Sequence, residues 1–354
     1  MKAAVIQSPY HMDLCDIPAP SLKEGEVLVQ VMYTGICGSD LHIFRGEHPT
    51  AKFPLVAGHE FVGKLVQVHG ESCGLKIGDM VVAQEAISCG RCQACVSGHE
   101  NVCRNLRIIG VHQDGGFAEY VKVPARKTYR IAPGTDPRIA ALTEPLAVAV
   151  HDVRTGGLEV GDRALIFGGG PIGTLIAMIC RLSGAGKILI TEINPVRRKI
   201  LEEMGFLTAS PEDPSFEETV KEAGGADGFD VCFETVGKDS TMACAMENVK
   251  NAGVIVLVAM NSHKNNLDLG RVFAKEIGIK GVRLHTQKHF AKAVEIINSH
   301  VLDGDLSRLI TDIYPLDEIG RAFNEAGRGD GCFKVLVQVS GSEDTYNIDG
   351  GKDI

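Results

Sequence analysis

The sequence predicts an α/β protein in which a mostly-β N-terminal part precedes a doubly wound parallel sheet. Residues 1–145 contain short runs of β-branched residues that stop at Gly, Pro or charged residues. From about Pro145 onward, short apolar runs alternate with amphipathic stretches. That alternation is typical of a buried parallel sheet with helices on both faces. A chain of 354 residues is long enough for two such domains.

The N-terminal part contains five segments that predict strands. Each is rich in β-branched residues and lacks a sustained helical period. In chain order they are KAAVIQ, EVLVQVMYTG, EFVGKLVQVH, DMVVAQEA and GFAEYVKVPA. We therefore expect a mostly-β domain over residues 1–146.

The second domain is expected over residues 147–284. It opens with LAVAVHDVRTGG, which predicts a helix that ends at paired glycines. The runs that predict parallel strands are RALIFGGG, KILITEI, FDVCFETVG, GVIVLVAM and EIGIKGVR. The stretches that predict helices between them are PIGTLIAMICRLSGA, NPVRRKILEEMGF and DSTMACAMENVK.

The C-terminal segment, residues 285–354, supplies a helix, KHFAKAVEIINSHVLDG, and a last strand, CFKVLVQV. These elements are too few to form a core of their own, so we expect them to complete the N-terminal domain. The final SGSEDTYNIDGGKDI is polar and is expected to be loose.

Composition and charge exclude several classes of function. The net charge is −9, the isoelectric point is near 5.8, and no basic run occurs. Nucleic-acid and anionic-membrane partners are therefore disfavoured. The start, MKAAVIQSPY, lacks the apolar stretch of a signal peptide, and no run of apolar residues is long enough to span a bilayer. We expect a cytoplasmic protein that binds a small molecule.

A glycine motif predicts a nucleotide site. Gly168, Gly170 and Gly173 form G-x-G-x-x-G between an apolar strand and a helix. In that context the glycines permit a tight turn and close approach of a pyrophosphate. The next strand ends at Glu192, where a carboxylate can bind the ribose hydroxyls and repel a 2′-phosphate, so NAD is favoured over NADP. Arg197 follows closely and could instead approach a phosphate or lie in solvent.

Two more residues are predicted to border the cofactor. Ile172 lies inside the glycine motif, and Val258 lies at the end of the strand GVIVLVAM. The carboxyl ends of parallel strands form the ligand crevice in such sheets. Either residue could equally be structural.

The cysteine pattern predicts a structural metal site. The chain has eleven cysteines, an odd number that argues against a disulfide framework. The spacing C-x2-C-x2-C-x7-C allows four thiolates to close a tetrahedron around zinc, and an iron–sulfur cluster is the alternative. The four predicted ligands are Cys89, Cys92, Cys95 and Cys103.

A second, dispersed set predicts a catalytic metal site. Cys37 lies in GICGSDLH, and His59 and Glu60 lie in AGHE. One sulfur, one nitrogen and one oxygen ligand leave a fourth position of zinc open for Lewis-acid catalysis. Taken singly, a buried cysteine or a hydrogen-bonded histidine would be the simpler interpretation.

The chain resembles the zinc-containing medium-chain alcohol dehydrogenase superfamily over about residues 1–340. GICGSDLH, GHEFVG, the four-cysteine loop, GGFAEY, TEPLAVAVH and GGGPIG occur in the order of that superfamily. The glutamate directly after the histidine is similar to the polyol and threonine dehydrogenase branch. The resemblance implies a GroES-like catalytic domain, a Rossmann domain, a homo-oligomer (dimer or tetramer) and zinc-dependent oxidation of a secondary alcohol with hydride transfer to NAD.

The resemblance also implies roles for individual residues. Glu144 matches the acid that either reaches zinc or holds its water, which places it among the substrate-contacting residues too. Ser39 and His42 resemble the hydroxyl–histidine relay that passes a proton through the cofactor ribose to solvent. Arg283 lies where the family approaches its active site, so its guanidinium could bind a substrate hydroxyl or carboxylate. A phosphate or an acid between the domains is the alternative partner.

The substrate is predicted only as a class. IGVHQDGGFAEY resembles bacterial dehydrogenases of sugar acids that act at the fifth carbon of hexonates, so a sugar acid or polyol is expected. L-threonine and 2,3-butanediol dehydrogenases are alternatives within the same chemistry. A non-catalytic NAD-binding protein on this fold is an alternative of another class, but such a protein would be expected to lack zinc ligands.

Overall fold

The computed structural model describes residues 1–260, 266–329 and 331–340. Its strands are β1 (Lys2–Ser8), β2 (His11–Asp16), β3 (Glu26–Gly35), β4 (Leu55–Val56), β5 (Glu60–His69), β6 (Met80–Ala83), β7 (Ala86–Ile87), β8 (Arg107–Ile108), β9 (Tyr120–Pro124), β10 (Thr128–Arg130), β11 (Arg163–Phe167), β12 (Lys187–Thr191), β13 (Leu207–Ala209), β14 (Phe229–Glu234), β15 (Val249–Leu257), β16 (Gly278–Gly281), β17 (Ile310–Pro315) and β18 (Lys334–Gln338).

The helices fall mainly in the second half of the chain. They are α1 (Gly38–Phe44), α2 (Gln93–Val96), α3 (Pro137–Ala140), α4 (Thr143–Gly156), α5 (Pro171–Leu182), α6 (Pro195–Glu203), α7 (Phe216–Gly224), α8 (Asp239–Asn248), α9 (Leu269–Lys275), α10 (Gln287–Asn298), α11 (Asp303–Leu309) and α12 (Ile319–Arg328). Short 3-10 helices cover Glu100–Val102, Ala125–Lys127 and Leu316–Glu318.

The N-terminal strands form a mixed sheet that the C-terminal strands join. Its order is β10-β6-β5-β3-β18-β17, with β9 also paired to β3, and a smaller sheet has the order β2-β1-β4. β18 runs antiparallel to β3, and β17 runs parallel to β18. β17 and β18 therefore lie in the same sheet as β3, which ends just before Cys37, and β5, which begins just after His59.

The second sheet is parallel throughout its described ladders and has the order β13-β12-β11-β14-β15-β16. From β11 the chain adds β12 and β13 on one side and then β14, β15 and β16 on the other, so the strand order reverses between β11 and β14. The crevice at the carboxyl ends of these two strands is therefore the expected ligand site. Helices α4, α5 and α10 cover one face, and Ile166, Phe233 and Val256 are buried beneath them. The predicted fold class, a mostly-β part and a doubly wound parallel sheet, is confirmed.

Some predicted elements match the structure closely, and others do not. EVLVQVMYTG and EFVGKLVQVH are β3 and β5 over their full lengths. The prediction of one strand over DMVVAQEA is wrong, since β6 ends at Ala83 and β7 begins at Ala86. The buried polar residues Gln84 and Glu85 occupy the break. The helix at the start of the second part ends at Gly156, and Gly157 caps it with φ +75°.

None of the helices in the described residues is both long and apolar enough to span a membrane. The prediction of a loose, polar C-terminus falls almost entirely on residues 341–354, which lie outside the described residues.

Candidate active site and metal centres

The four cysteines of the loop converge on one point. Cys92 caps the N-terminus of α2, and Cys103 follows the 3-10 helix Glu100–Val102. All four sulfur atoms lie within 4.8 Å of one another, with Cys92 3.4 Å from Cys95 and 3.8 Å from Cys103. With Zn–S bonds of about 2.3 Å, sulfur atoms at the corners of a tetrahedron lie about 3.8 Å apart. The loop therefore fits a closed zinc site.

Backbone N–H groups surround these sulfur atoms. The N–H groups of Arg91 and Cys92 lower the pKa of Cys89 to about 6. Those of Cys95 and Arg104 lower the pKa of Cys92, whereas burial raises the pKa of Cys95 to about 11. The donors stabilise thiolates, and the thiolate is the form that binds zinc.

Strands β3 and β5 bring the dispersed set together. They pair with Gly35 opposite Glu60, and Cys37 caps α1 directly after β3. A Cβ atom on Gly35 would lie 2.1 Å from Oε2 of Glu60, so this position has no room for a side chain. The ligand atoms of Cys37, His59 and Glu60 lie within 4.8 Å of one another. This donor set fits zinc with an open position.

Asp40 orients the histidine of that set. It is 0% exposed, and its carboxylate accepts hydrogen bonds from the backbone N–H of Cys37 at 2.8 Å and of Gly58 at 3.2 Å. Its Oδ1 lies 3.5 Å from Nδ1 of His59. Burial opposes an imidazolium, but Asp40 and Cys37 raise the pKa of His59 well above its ordinary value. With Nδ1 facing the carboxylate, Nε2 is left for the metal, which is the usual outer-shell pattern.

Glu60 is paired with a buried lysine. Nζ of Lys334, on β18, lies 2.8 and 2.7 Å from the two carboxylate oxygens of Glu60 and donates to the carbonyl of Ile36 at 3.2 Å. Burial disfavours the ammonium, but Glu60 and Cys37 raise the pKa of Lys334. A Glu60 that binds zinc therefore shares its carboxylate with Lys334.

Glu144 lies in a separate buried cluster beside the metal set. Its Oε1 is 3.5 Å from Nε2 of His285, which is also 3.1 Å from Oε2 of Glu85. Burial and the charge of Glu85 raise the pKa of Glu144. Burial alone would lower the pKa of His285, but the two carboxylates raise it to about 10. The charge of His59 also acts on Glu144, so the cluster adjoins the metal site.

A cleft of about 540 Å³ joins the nucleotide motif to the metal set. A Cβ atom on Gly173 would lie 1.9 Å from the carbonyl oxygen of Gly168, whose own φ is +92°. Gly170 caps the N-terminus of α5, which is where a pyrophosphate binds in such folds. The predicted residues that line the cleft are Gly168, Gly170, Ile172, Gly173, Glu192, Arg197, Cys37 and Glu60.

Glu192 follows β12 and is held in place by the backbone. Its carboxylate accepts from the N–H of Gly169 at 2.9 Å and of Asn194 at 2.8 Å. Arg197 donates to the carbonyl oxygen of Cys332 at 2.7 and 3.1 Å, and its Nη1 lies 3.9 Å from Glu192. Its side chain thus links the cleft to the segment before β18.

The remaining predicted residues are more dispersed. Ser39 and His42 lie three residues apart on α1 and so share a face, and Nδ1 of His42 is 2.8 Å from Oε2 of Glu47. Arg283 is exposed. Val258 follows β15 and is not among the described residues that line the cleft.

His48 lies in the loop that follows α1. Burial, followed by neighbouring cationic groups that include His59 and Arg283, lowers the pKa of His48. Its Nδ1 accepts from the N–H of Ala51 at 3.2 Å, which leaves Nε2 as a donor. His48 is therefore close enough to His59 and Arg283 for their charges to act on it.

Two family models match the chain. Residues 23–133 match the alcohol dehydrogenase GroES-like domain, and residues 171–299 match the zinc-binding dehydrogenase family. The chain belongs to the zinc-dependent medium-chain dehydrogenases. It is an alcohol dehydrogenase built on a GroES-like and a Rossmann part, as the sequence resemblance implies.

The relatives of this dehydrogenase act on different alcohols. It is 36% identical to 2-dehydro-3-deoxy-L-galactonate 5-dehydrogenase of Pseudoalteromonas atlantica, over 91% of this chain and 94% of the relative. It is 33% identical to L-threonine 3-dehydrogenase of Shewanella sp. (strain ANA-3), over 89% and 93%.

Of two similar proteins with solved structures, one contains NADH and the other contains NADP. A protein of Escherichia coli CFT073 described as an alcohol dehydrogenase, complexed with NADH, is 28% identical with a TM-score of 0.87, over 96% of this chain and 99% of that one. A protein of Sinorhizobium meliloti described as a zinc-binding dehydrogenase, bound to NADP, is 31% identical with a TM-score of 0.88, over the same shares of the two chains.

Sequence reasoning missed four buried residues at or near this site. Asp40 lies inside the quoted motif GICGSDLH, and Lys334 interrupts the apolar run CFKVLVQV, so both had a visible signal. Glu85 and His285 had none, because Glu85 lies inside a predicted strand, His285 stands between predicted elements, and the two meet only in the folded chain.

Proposed function

We propose that this dehydrogenase oxidises a secondary alcohol of a sugar acid to a ketone with NAD, with Cys37, His59 and Glu60 as catalytic zinc ligands. The observation that carries the proposal is the convergence of one sulfur, one nitrogen and one oxygen donor at the end of a nucleotide cleft. That donor set suits Lewis-acid catalysis, and the cleft suits a dinucleotide.

When bound, zinc supplies Lewis-acid activation of the substrate hydroxyl and NAD accepts the hydride. Asp40 keeps the ring of His59 oriented for the metal. Ser39 would relay the hydroxyl proton by giving up its own proton as it accepts the proton of the substrate, and His42, paired with Glu47 at 2.8 Å, would pass a proton on to solvent. Glu144 orients the substrate oxygen or a water molecule beside the ligands.

NAD is the proposed cofactor because the two arginines that follow Glu192 in the chain already have other partners. Arg197 is occupied by the carbonyl of Cys332. The neighbouring Arg198 forms an ion pair with Asp213 at 2.7 Å. The carboxylate of Glu192 is thus free of neutralising partners closer than 3.9 Å and would repel a phosphate.

A sugar acid is the proposed substrate, and the charges of His59 and Arg283, both of which act on His48, support a cationic pocket for its carboxylate. Arg283 is exposed and near His48, whose Nε2 is left as a donor. A guanidinium and an imidazole can bind a substrate carboxylate. The 36% identity to a sugar-acid 5-dehydrogenase supports the same class.

L-threonine is the second candidate substrate, favoured by the 33% identity to L-threonine 3-dehydrogenase. Its carboxylate would use the same cationic groups, whereas 2,3-butanediol or a neutral polyol would not. A non-catalytic NAD-binding role is disfavoured because the ligand set is complete.

The deciding experiment measures NADH formation with hexonates, polyols, 2,3-butanediol and L-threonine, before and after removal of zinc with a chelator. We expect the highest kcat/KM with a hexonate, loss of turnover on chelation and its return with zinc. Cys37→Ser should abolish turnover with the fold preserved. Turnover that survives chelation, or a preference for L-threonine, would contradict the respective part of the proposal.

We also infer a cytoplasmic homo-oligomer. Each of the eleven cysteines, all within the described residues, is free, which suits a reducing compartment. Light scattering coupled to size-exclusion chromatography distinguishes a dimer or tetramer from the 37.9 kDa monomer.

A further inference from the structure

Glu85, Glu144 and His285 come from three separate segments and meet in the interior. Glu85 lies between β6 and β7, Glu144 in the first turn of α4, and His285 between β16 and α10. Glu85 and His285 are 0% exposed, and one ligand-type atom from each of the three residues lies within 4.8 Å of the others. Burial of three ionisable groups is costly unless they compensate one another.

The imidazole of His285 is the centre of this cluster. Its Nε2 lies 3.1 Å from Oε2 of Glu85 and 3.5 Å from Oε1 of Glu144. Glu85 is the nearer partner, so it anchors the ring, and the ring then attracts the carboxylate of Glu144. Without His285 the two carboxylates would only repel each other.

The backbone fixes both partners of Glu144. The carbonyl oxygen of Glu85 accepts from the N–H of Ile109 at 3.0 Å. The carbonyl oxygen of His285 accepts from Nε2 of Gln84 at 3.4 Å, and Gln84 is held by Lys127 at 2.6 Å. Glu85 and His285 thus stand on hydrogen-bonded backbone segments, and their side chains form a support for Glu144 through ion-pair contacts.

The carboxylate of Glu144 keeps freedom to act elsewhere. Its contact with His285 is an ion-pair distance, and both ring nitrogens of His285 remain without a hydrogen bond among the described residues. Glu144 is 6% exposed, whereas its two partners are fully enclosed. The support therefore places Glu144 without saturating its oxygens.

We propose that Glu85 and His285 are positioning residues that hold the carboxylate of Glu144 beside the catalytic metal site. The inference rests on the role proposed above for Glu144. Partners of this kind orient the groups that surround a metal, and their loss typically costs about 10–100-fold in metal affinity or activity.

The test follows zinc release to a chromophoric chelator in H285Q, E85Q, E144Q and the double variant E144Q/H285Q. Zinc release is expected in two kinetic phases, one for each proposed site, and the phase that is missing in C37S is assigned to the catalytic site. We expect H285Q, E85Q and E144Q each to release that zinc about 10–100-fold faster and to lower kcat. H285Q should add nothing in the E144Q background, because both changes remove the same function.

H289Q is the matched control. It replaces another buried histidine, four residues further along, whose Nδ1 lies 3.0 Å from the hydroxyl of Thr286 and whose ring stacks near His151. We expect wild-type zinc release and kcat. Should H285Q fail to fold, E85Q serves the same comparison, because the amide keeps the shape of the side chain.

The outcomes separate the two proposals. Wild-type zinc release and kcat in E144Q would refute the role of Glu144 and this inference together. If E144Q changes zinc release and kcat but H285Q and E85Q do not, only the inference is overturned. The same holds if the effects of E144Q and H285Q multiply in the double variant. Metal analysis could also overturn the inference. If the wild type binds a third zinc ion, beyond the two proposed sites, and H285Q loses that ion, the cluster binds an ion itself.

Discussion

At the residue scale, a second buried side chain contacts each of the proposed zinc ligands. His59 faces Asp40 at 3.5 Å, and Glu60 faces Lys334 at 2.7 Å. Asp40 has a further effect, because it also accepts the N–H of Cys37 at 2.8 Å. One carboxylate therefore fixes two of the three ligands, and its loss should affect the metal more than the fold.

We predict that Asp40→Asn weakens zinc binding at the catalytic site and lowers kcat by about 10–100-fold. The asparagine amide has the same shape as the aspartate side chain but lacks its negative charge. It therefore holds the imidazole ring of His59 in the metal-binding orientation less strongly. Chelator competition gives the zinc affinity, and steady-state kinetics gives kcat. Asp13→Asn is the control, because Asp13 lies at the surface, 3.3 Å from the exposed His11. Equal zinc affinity in the two variants would refute the role of Asp40.

We predict that Glu192→Gln shifts cofactor preference toward NADP. The change removes the charge that repels a 2′-phosphate and weakens a charged hydrogen bond, so kcat/KM with NAD should fall about 10-fold. Kinetics with both cofactors measure the ratio. Glu203→Gln, on the exposed side of α6 and 3.6 Å from Arg308, should leave it unchanged. An unchanged ratio in Glu192→Gln would remove the basis for NAD selectivity.

At the element scale, the turn from β11 to α5 shows two different reasons for glycine. At Gly173 the reason is packing, since a Cβ atom would lie 1.9 Å from the carbonyl oxygen of Gly168. At Gly170 the nearest atom to a Cβ is 3.8 Å away, on Arg197, so the fold tolerates a methyl group there. The space at Gly170 is instead the space that the pyrophosphate needs.

We predict that Gly173→Ala and Gly170→Ala fail in different measurements. Gly173→Ala should destabilise the unliganded protein by about 1–3 kcal/mol, because the turn must move. Gly170→Ala should keep the wild-type denaturation midpoint but raise the KM for NAD. Urea titration without cofactor and steady-state kinetics distinguish them. Two variants that are equally destabilised would contradict this division.

The strands were predictable where apolar pattern and hydrogen bonding coincide, as in β3 and β5. The short β13 (Leu207–Ala209) was missed because three residues carry no periodic signal. The candidate metal ligands Cys37, His59 and Glu60 could be proposed from the sequence because they lie in recognisable motifs, and the fold brings their ligand atoms within 4.8 Å of one another. The role of His285 could not be predicted, because it depends on contacts with residues about 140 and 200 positions earlier in the chain. A local sequence pattern does not encode contacts over such separations.

At the scale of the whole molecule, α4 and α10 pack together and connect the parallel sheet to the C-terminal segment. Along this seam the ring centroids of His151 and His289 lie 4.7 Å apart. Burial, then the charges of His285 and Lys288, lower the pKa of His151 to about 4. Burial, then His151, Lys288 and Arg154, lower that of His289 to about 3. Both rings are therefore neutral in the folded protein at neutral pH.

These histidines should make the protein acid-sensitive. Their folded pKa values lie below the unfolded value of 6.5, so the unfolded chain binds more protons as the pH falls from about 6.5 toward 4. Stability is thus full at neutral pH and declines through that window. His289→Gln should reduce the loss between pH 7 and pH 5 by about 1–2 kcal/mol. Urea titration at the two pH values measures this loss in the variant and in the wild type, and the proposed zinc ligands titrate equally in the two proteins.

His11→Gln is the control, because His11 is exposed, and it should leave the loss unchanged. An equal loss in His289→Gln and the wild type would show that the histidines between α4 and α10 do not control acid stability.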